Sequence, residues 1–225
     1  MTTETQADTV LVNGIEYNEY PPPEQLVKVM KREFAEQLIS NGLVRLRKLE
    51  YYRRWEKGQL GDPNDGKGLY HLDGHPMQTG SVNDVYAWCL ALPAIKRDRL
   101  LFLAVDGSYD CMIVLRAPEE FLRRVNDWLS EYRKGFWLHC GLVTYNRGEE
   151  VDKKALNSQK FHFNVFQKAP RFKNDMEYRM SIINATFQHL QEDYLDLLIG
   201  DCSDIMSIEA LPDKSPKGTY GVWQS

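Results

Sequence analysis

The chain has 225 residues, with 28 Lys and Arg against 32 Asp and Glu, a net charge of −4 and a pI of about 5.8. That balance excludes binding to nucleic acid or an anionic membrane through a global basic field. Hydrophobic residues at 43% and charged residues at 27% exclude wholesale disorder and predict a single globular domain.

Residues 1–9 are polar and read as a frayed tail. They lack the basic and apolar regions of a signal peptide, and no apolar run approaches the ~20 residues of a membrane span, so the expectation is a cytoplasmic protein with no membrane partner. Asn13-Gly14 between apolar residues predicts a hairpin over 10–17. After Pro21-Pro22-Pro23, the spacing of Leu26, Val27, Met30, Phe34, Leu38 and Ile39 predicts a helix over 24–41, closed by Asn41-Gly42. A strand follows at 43–47, and 49–56 either continues it or begins a short helix. Gly58, Gly61, Pro63, Gly66 and Gly68 predict a long loop, with 69–84 loop-like as well. Strands are predicted at 85–92, 109–116 and 136–145. A helix from Pro118 to about residue 133 has proline and acids in its first turn. Residues 161–168 read as extended, 175–183 as a strand, 187–198 as helical or mixed and 204–211 as the last strand, with a tail over 214–225. The single domain therefore spans 10–213. Without regular β-α-β alternation its class is α+β, a mixed and largely antiparallel sheet with a few flanking helices.

Cys89, Cys111, Cys140 and Cys202 stand far apart and form no Cys-x-x-Cys pair, so buried free thiols are expected rather than a zinc site. His71 and His75 sit in a stretch broken by Asp73-Gly74 and Pro76, which argues against a helical metal pair. No metal site is expected.

Three constellations stand out. In Gly61-Asp62-Pro63-Asn64-Asp65-Gly66, two carboxylates either face a cation or ribose hydroxyl or cap their own turn. In Asp175-Met176-Glu177-Tyr178-Arg179, a strand would put Asp175, Glu177 and Arg179 on one face. That face is either a solvated stripe or the wall of a cleft, with Glu177 as general base or oxocarbenium stabiliser and Arg179 orienting it. The stretch from Arg45 to Lys57 interleaves Arg45, Arg47, Lys48, Arg53, Arg54 and Lys57 with Tyr51, Tyr52 and Trp55, as either a solvated rim or a base-stacking, phosphate-holding surface. Lys160, Lys168, Arg171 and Lys173 would extend it; Arg53, Arg54, Lys168 and Arg171 are the candidate nucleic-acid contacts.

The order of these motifs resembles a family of uncharacterised bacterial and phage-associated domains. Those domains have an Asn-Asp-Pro-x-Glu loop, a short Cys-containing strand and a late Lys…Glu-x-Glu-x-Arg. The counterparts are Asp62-Pro63-Asn64-Asp65, Trp88-Cys89-Leu90 and Lys168…Asp175-Met176-Glu177-Tyr178-Arg179, within roughly residues 38–183. Gly61, Asp65 and Asp175 depart from the pattern. The order is also similar to ADP-ribosyltransferase toxins and phage-defence enzymes. That resemblance implies NAD as substrate, Arg45 as the early basic residue, Tyr51 or Tyr52 as the ring beside nicotinamide, and Glu177 as the late catalytic Glu. Asp175 would assist from two residues earlier, and Arg179 would stand on the NAD side. The Ser-Thr-Ser element of those enzymes is absent. The acceptor implied is a nucleic acid or protein. Two other readings stay open: a Mg²⁺-dependent nuclease using Asp62, Asp65 and Glu177, and a non-enzymatic phage or host interaction module.

Overall fold

A computed structural model describes residues 9–54, 62–80, 84–106, 108–148, 161–186 and 188–212. Residues 1–8, Trp55, Lys57, Gly58, Gly61, Lys160 and the predicted C-terminal tail lie outside the described residues.

Strands β1 (Val10–Val12) and β2 (Ile15–Tyr17) form the expected hairpin, with Asn13 and Gly14 at φ 51° and 82° as its two-residue turn demands. The predicted helix over 24–41 divides into β3 (Leu26–Met30) and α1 (Arg32–Asn41). Leu26, Val27 and Val29 are buried on both faces of the sheet, and such a continuous apolar run fits a buried strand as well as a helix. Gly42, at φ 64°, ends α1 and donates its N–H to the carbonyls of Gln37 and Leu38. Then come β4 (Leu43–Lys48) and the short helix α2 (Leu49–Arg54). The stretch expected to be loop holds the separate hairpin β5 (Lys67–Leu72) and β6 (His75–Gly80), turned at Asp73-Gly74.

Strand β7 (Val85–Ala91) is followed by a helix not anticipated, α3 (Arg97–Asp106), and by β8 (Cys111–Leu115). Helix α4 (Pro118–Tyr132) and β9 (Phe136–Leu142) stand close to their predicted places. The stretch expected to be extended forms a 3₁₀ turn at Phe161–Phe166, and a second 3₁₀ turn, Pro170–Asp175, leads into β10 (Glu177–Asn184). Of the stretch predicted as helical or mixed over 187–198, Phe187 lies outside the described residues and the rest holds a strand: β11 (Tyr194–Leu198) alternates exposed and buried positions with the period of two that a strand requires. The last strand is β12 (Met206–Ala210).

Ten strands form one sheet, whose main path runs β1-β2-β9-β10-β7-β3-β8-β12. Among the described pairings of this sheet, β2 with β9 is parallel and the others are antiparallel. The fold is α+β. One edge of β7 is shared: β4 pairs with it at Ala87 and Tyr86, and β3 at Ala91. The sheet therefore forks opposite Cys89, one branch running β4-β11 and the other β3-β8-β12.

The two faces differ. On one, Ala35 and Leu38 of α1 and Phe121, Leu122, Val125 and Leu129 of α4 pack on Trp88, Leu138, Tyr178 and Met180. Each fully buried side chain of this kind contributes roughly 1.5–3 kcal/mol. The other face carries two smaller apolar patches. Leu100 and Ala104 of α3 cover Val27, Ala91 and Val114; Leu49, Val165 and Phe166 cover Val85, Ala87 and Ile183. Between those patches, level with Cys89 and Arg179, the second face is polar. Among the described residues no helix is long and apolar enough to cross a membrane.

Candidate active site at the fork of the sheet

Strand β10 lies between β9 and β7, and all its side chains are buried. Its even-numbered residues point into the core under α1 and α4. Glu177 and Arg179 therefore point to the second face, and neither belongs to a solvated stripe. Asp175 does not share their strand: it ends the second 3₁₀ turn, and Met176, at φ 45°, turns the chain before β10 begins.

Arg179 is 0% exposed. Its guanidinium donates to both oxygens of Asp65 at 2.7 and 3.2 Å, to Glu177 Oε1 at 2.7 Å and to the Val165 carbonyl at 2.6 Å. A planar five-donor fork suits such a crowded set of acceptors, where an ammonium would not. The loop that brings Asp65 is itself tied down. Asp62 accepts the backbone N–H of Asn64 at 3.0 Å and pairs with buried Arg147 at 2.5 Å, while Arg53 donates to the Asp65 carbonyl at 2.6 Å. The Asp62–Asp65 segment is thus a self-capping turn and also a pair of carboxylates facing cations.

Glu177 Oε2 accepts from Lys168 Nζ at 2.5 Å, and the Cys89 thiol faces the same cleft. Burial alone would raise the Glu177 carboxyl; Arg179 and Lys168 outweigh it and hold Glu177 well below the usual carboxylate range. Burial would lower Lys168, but Glu177 and Asp65 hold it above the ordinary lysine value. The Cys89 thiol is pushed up to about 12, chiefly by burial, and stays protonated. Asp175 pairs with Arg99 of α3 at 2.5 Å, yet burial lifts its carboxyl above the usual range.

A cleft of about 340 Å³ opens over this cluster. Glu177, Asp175, Asp65, Lys168 and Cys89 line its polar side, β3 and α3 its apolar side, and Arg47, Tyr51, Tyr52 and Tyr109 its rim. Arg47 lies against the Tyr51 ring at 4.4 Å. Among the described residues, a larger hollow of about 550 Å³ between the β1–β2 hairpin, Pro21–Pro23 and α4 has no comparable buried ion cluster: Arg116 and Arg123, which line it, already pair with Glu209, and with Glu120 and Asp127. The buried charges gather at the fork.

Among the residues proposed from sequence, Glu177, Asp175, Tyr51, Tyr52 and Lys168 meet at the cleft, with Arg179 directly beneath. Arg45 does not. It lies two residues farther along β4 than Arg47, beyond the pairing with β7, and both its donating nitrogens are held by Asp196 at 2.7 and 2.6 Å. The four candidate nucleic-acid contacts do not act alike. Lys168 is buried on Glu177, Arg53 braces the loop, and Arg54 pairs with Glu50 at 3.0 Å. Arg171 is exposed and stacks on Phe172. Cys111, Cys140 and Cys202 are buried free thiols as expected, whereas Cys89 is half-buried in the cleft wall. Among the described residues no group of three or more His, Cys, Asp and Glu is placed to hold a metal ion.

Sequence reasoning missed Lys28, Arg99, Tyr109 and Arg147. Lys28 fell inside the predicted helix, and Arg99 in a stretch with no predicted element. Arg147 had no local partner in sequence, because Asp62 lies 85 positions away. Compared with protein-family models, curated proteins and solved structures, the chain matches none.

Proposed function

We propose that the cleft is an active site in which NAD is cleaved at its nicotinamide–ribose bond and ADP-ribose is passed to a nucleic-acid or protein acceptor. One observation carries this reading: Glu177 lines the cleft while Arg179 and Lys168 keep it ionised. A carboxylate held so far below neutrality is a poor proton acceptor. It is suited to electrostatic stabilisation of a positively charged, oxocarbenium-like ribose as the C–N bond breaks and the electron pair leaves on nicotinamide. Tyr51, Tyr52 and Tyr109 offer rings to a flat heterocycle at the rim. The positions behind the family resemblance, from Asp62 through Cys89 and Lys168 to Arg179, converge on this one cluster, which supports it further.

The nuclease reading fares less well. Asp62 and Asp65 are each bonded to a buried Arg, so two of the three carboxylates that reading needs are already engaged. Incubation of the full chain with labelled NAD and cell lysate tests the proposal. Free nicotinamide and a labelled macromolecule are expected. Neither product, or full activity in a folded Glu177→Gln variant, would sink it.

A further inference from the structure

We infer that the fork of the sheet holds an anion subsite in which Lys28 and Arg47 bind the phosphate of a nucleotide whose flat ring lies among Tyr51, Tyr52 and Tyr109. Four observations lead there: the fork itself, the charge balance around the cleft, the donors of the two cations that no described residue engages, and the rings beside them.

The fork explains why a lysine stands on β3. Alternate residues of an antiparallel strand direct their backbone groups to opposite edges. Leu92 donates to Met176, and Asn184 donates to Asp84, both on the β10 side. The odd-numbered residues between therefore turn toward the fork. Ala87 is paired there with Arg47 of β4 and Ala91 with Val27 of β3, which leaves Cys89 opposite the gap. Lys28 Nζ fills it, donating to the Cys89 carbonyl at 2.7 Å and lying 5.3 Å from the Trp88 ring centre. That bond uses one of three ammonium donors.

Charge decides what the cleft accepts. Its lining carboxylates are Asp65, Asp175 and Glu177, and each is bonded to a cation: Asp65 to Arg179, Asp175 to Arg99, and Glu177 to Arg179 and Lys168. Three acids and three bases cancel. Lys28 and Arg47 remain, and among the described residues neither has a carboxylate within ion-pair distance. Arg47 stacks on Tyr51 at 4.4 Å and lies 5.8 Å from the Tyr194 ring, and among the described residues its N–H donors have no acceptor. A guanidinium held flat against a ring presents its donor edge, the geometry that phosphate takes up. Among the described residues, an acidic protein thus carries a cleft with two cations outside any ion pair, set beside aromatic rings. Burial pulls the Lys28 ammonium below the ordinary lysine range, and an arriving phosphate would restore it.

This subsite names the substrate class of the reading above and rests on it only in taking the cleft as the substrate site. Calorimetric titration of the full chain with AMP, adenosine and inorganic phosphate tests it. AMP is expected to bind about tenfold or more tightly than adenosine, and more tightly than phosphate alone, with affinity falling as salt rises. Arg47→Gln and Lys28→Gln should each remove most of the AMP preference while leaving adenosine binding in place. Arg47 is half-buried, so Arg47→Gln keeps the test decisive if Lys28→Gln does not fold. Equal binding of AMP and adenosine, binding of neither, or an unchanged AMP preference in Arg47→Gln overturns the subsite. An AMP preference lost in Arg47→Gln, in a protein that releases no nicotinamide from NAD, upholds the subsite and removes the ADP-ribosyl reading. Turnover of NAD with the same KM in Arg47→Gln does the reverse.

Discussion

Arg179 and Asp65 stand 114 positions apart in the chain and meet in a two-oxygen ion pair with no solvent exposure at the arginine. Each is the other's main compensation for leaving water. Asp65→Asn or Arg179→Met should therefore destabilise the protein by about 3–5 kcal/mol, because each removes one charge from a buried cluster that is balanced only when complete. Arg179→Lys should fail nearly as badly, since an ammonium cannot span Asp65, Glu177 and the Val165 carbonyl together. Urea denaturation of the three variants measures this, and the double variant Asp65→Asn/Arg179→Met should cost clearly less than the sum of the singles.

Arg45 and Arg47 make a contrasting pair two residues apart. Arg45→Ala removes an exposed pair with Asp196 and should change stability by less than about 1 kcal/mol, with NAD turnover unaltered. Glu177→Gln should lower nicotinamide release by about 10²-fold or more. Steady-state assays of both variants, with circular dichroism confirming the fold, separate the cleft from the surface of β4.

Much of this was readable in the sequence, and the exceptions share a cause. The Asn13-Gly14 hairpin, α4 and the strands β7 to β10 follow from turn chemistry, caps and short-range alternation. The spacing of Leu26, Val27 and Met30 predicts a helix where β3 stands, because it suits a buried strand as well; only burial on both faces decides, and that depends on β7 and β8 beside it. Asp62, Asp65, Lys168, Glu177 and Arg179 declared themselves as clustered charge. Arg147, Arg99 and Lys28 did not, because what makes them matter is a partner 85, 76 or 61 positions away. Arg45 and Arg47 stand two residues apart on one face of one strand, and only the point where β4 leaves β7 separates the one that lines the cleft from the one that does not.

Acid should unfold the protein in a definite direction. Burial raises Glu177, but Arg179 and Lys168 bring it below its unfolded value of about 4.5. Its contribution to stability is therefore complete above that value and is lost as pH falls through the folded pKa. Glu120, lowered to about 2 chiefly by its bonds to Arg123 and Arg124, acts in the same sense but is more exposed and counts for less. Asp175 acts in the opposite sense: burial raises it, so its penalty grows as pH rises through its unfolded value of 3.8 to the raised folded one. With Glu177 dominant, the melting temperature measured from pH 7 to pH 2.5 should fall below about pH 4.5, and Asp175→Asn should raise stability at neutral pH relative to acid.

Gly42 offers a test of the frame that holds β4. At φ 64°, its missing side chain leaves room for the Gly200 carbonyl, which a Cβ would meet at 2.1 Å. Gly42→Ala should cost about 2 kcal/mol or more from the left-handed backbone and the forced shift together. A fall in melting temperature with the sheet preserved by circular dichroism would bear this out.

Strand β10 sits mid-sheet between β7 and β9, yet follows both in the chain. During synthesis the two earlier strands must wait, unpaired along those edges, until residues 177–184 leave the ribosome. The cleft needs Asp65, Cys89 and Arg179 at once, so no nascent intermediate that stops short of Arg179 contains it. The growing polypeptide therefore lacks the cleft for most of its translation, and all of its walls come together in a single late event.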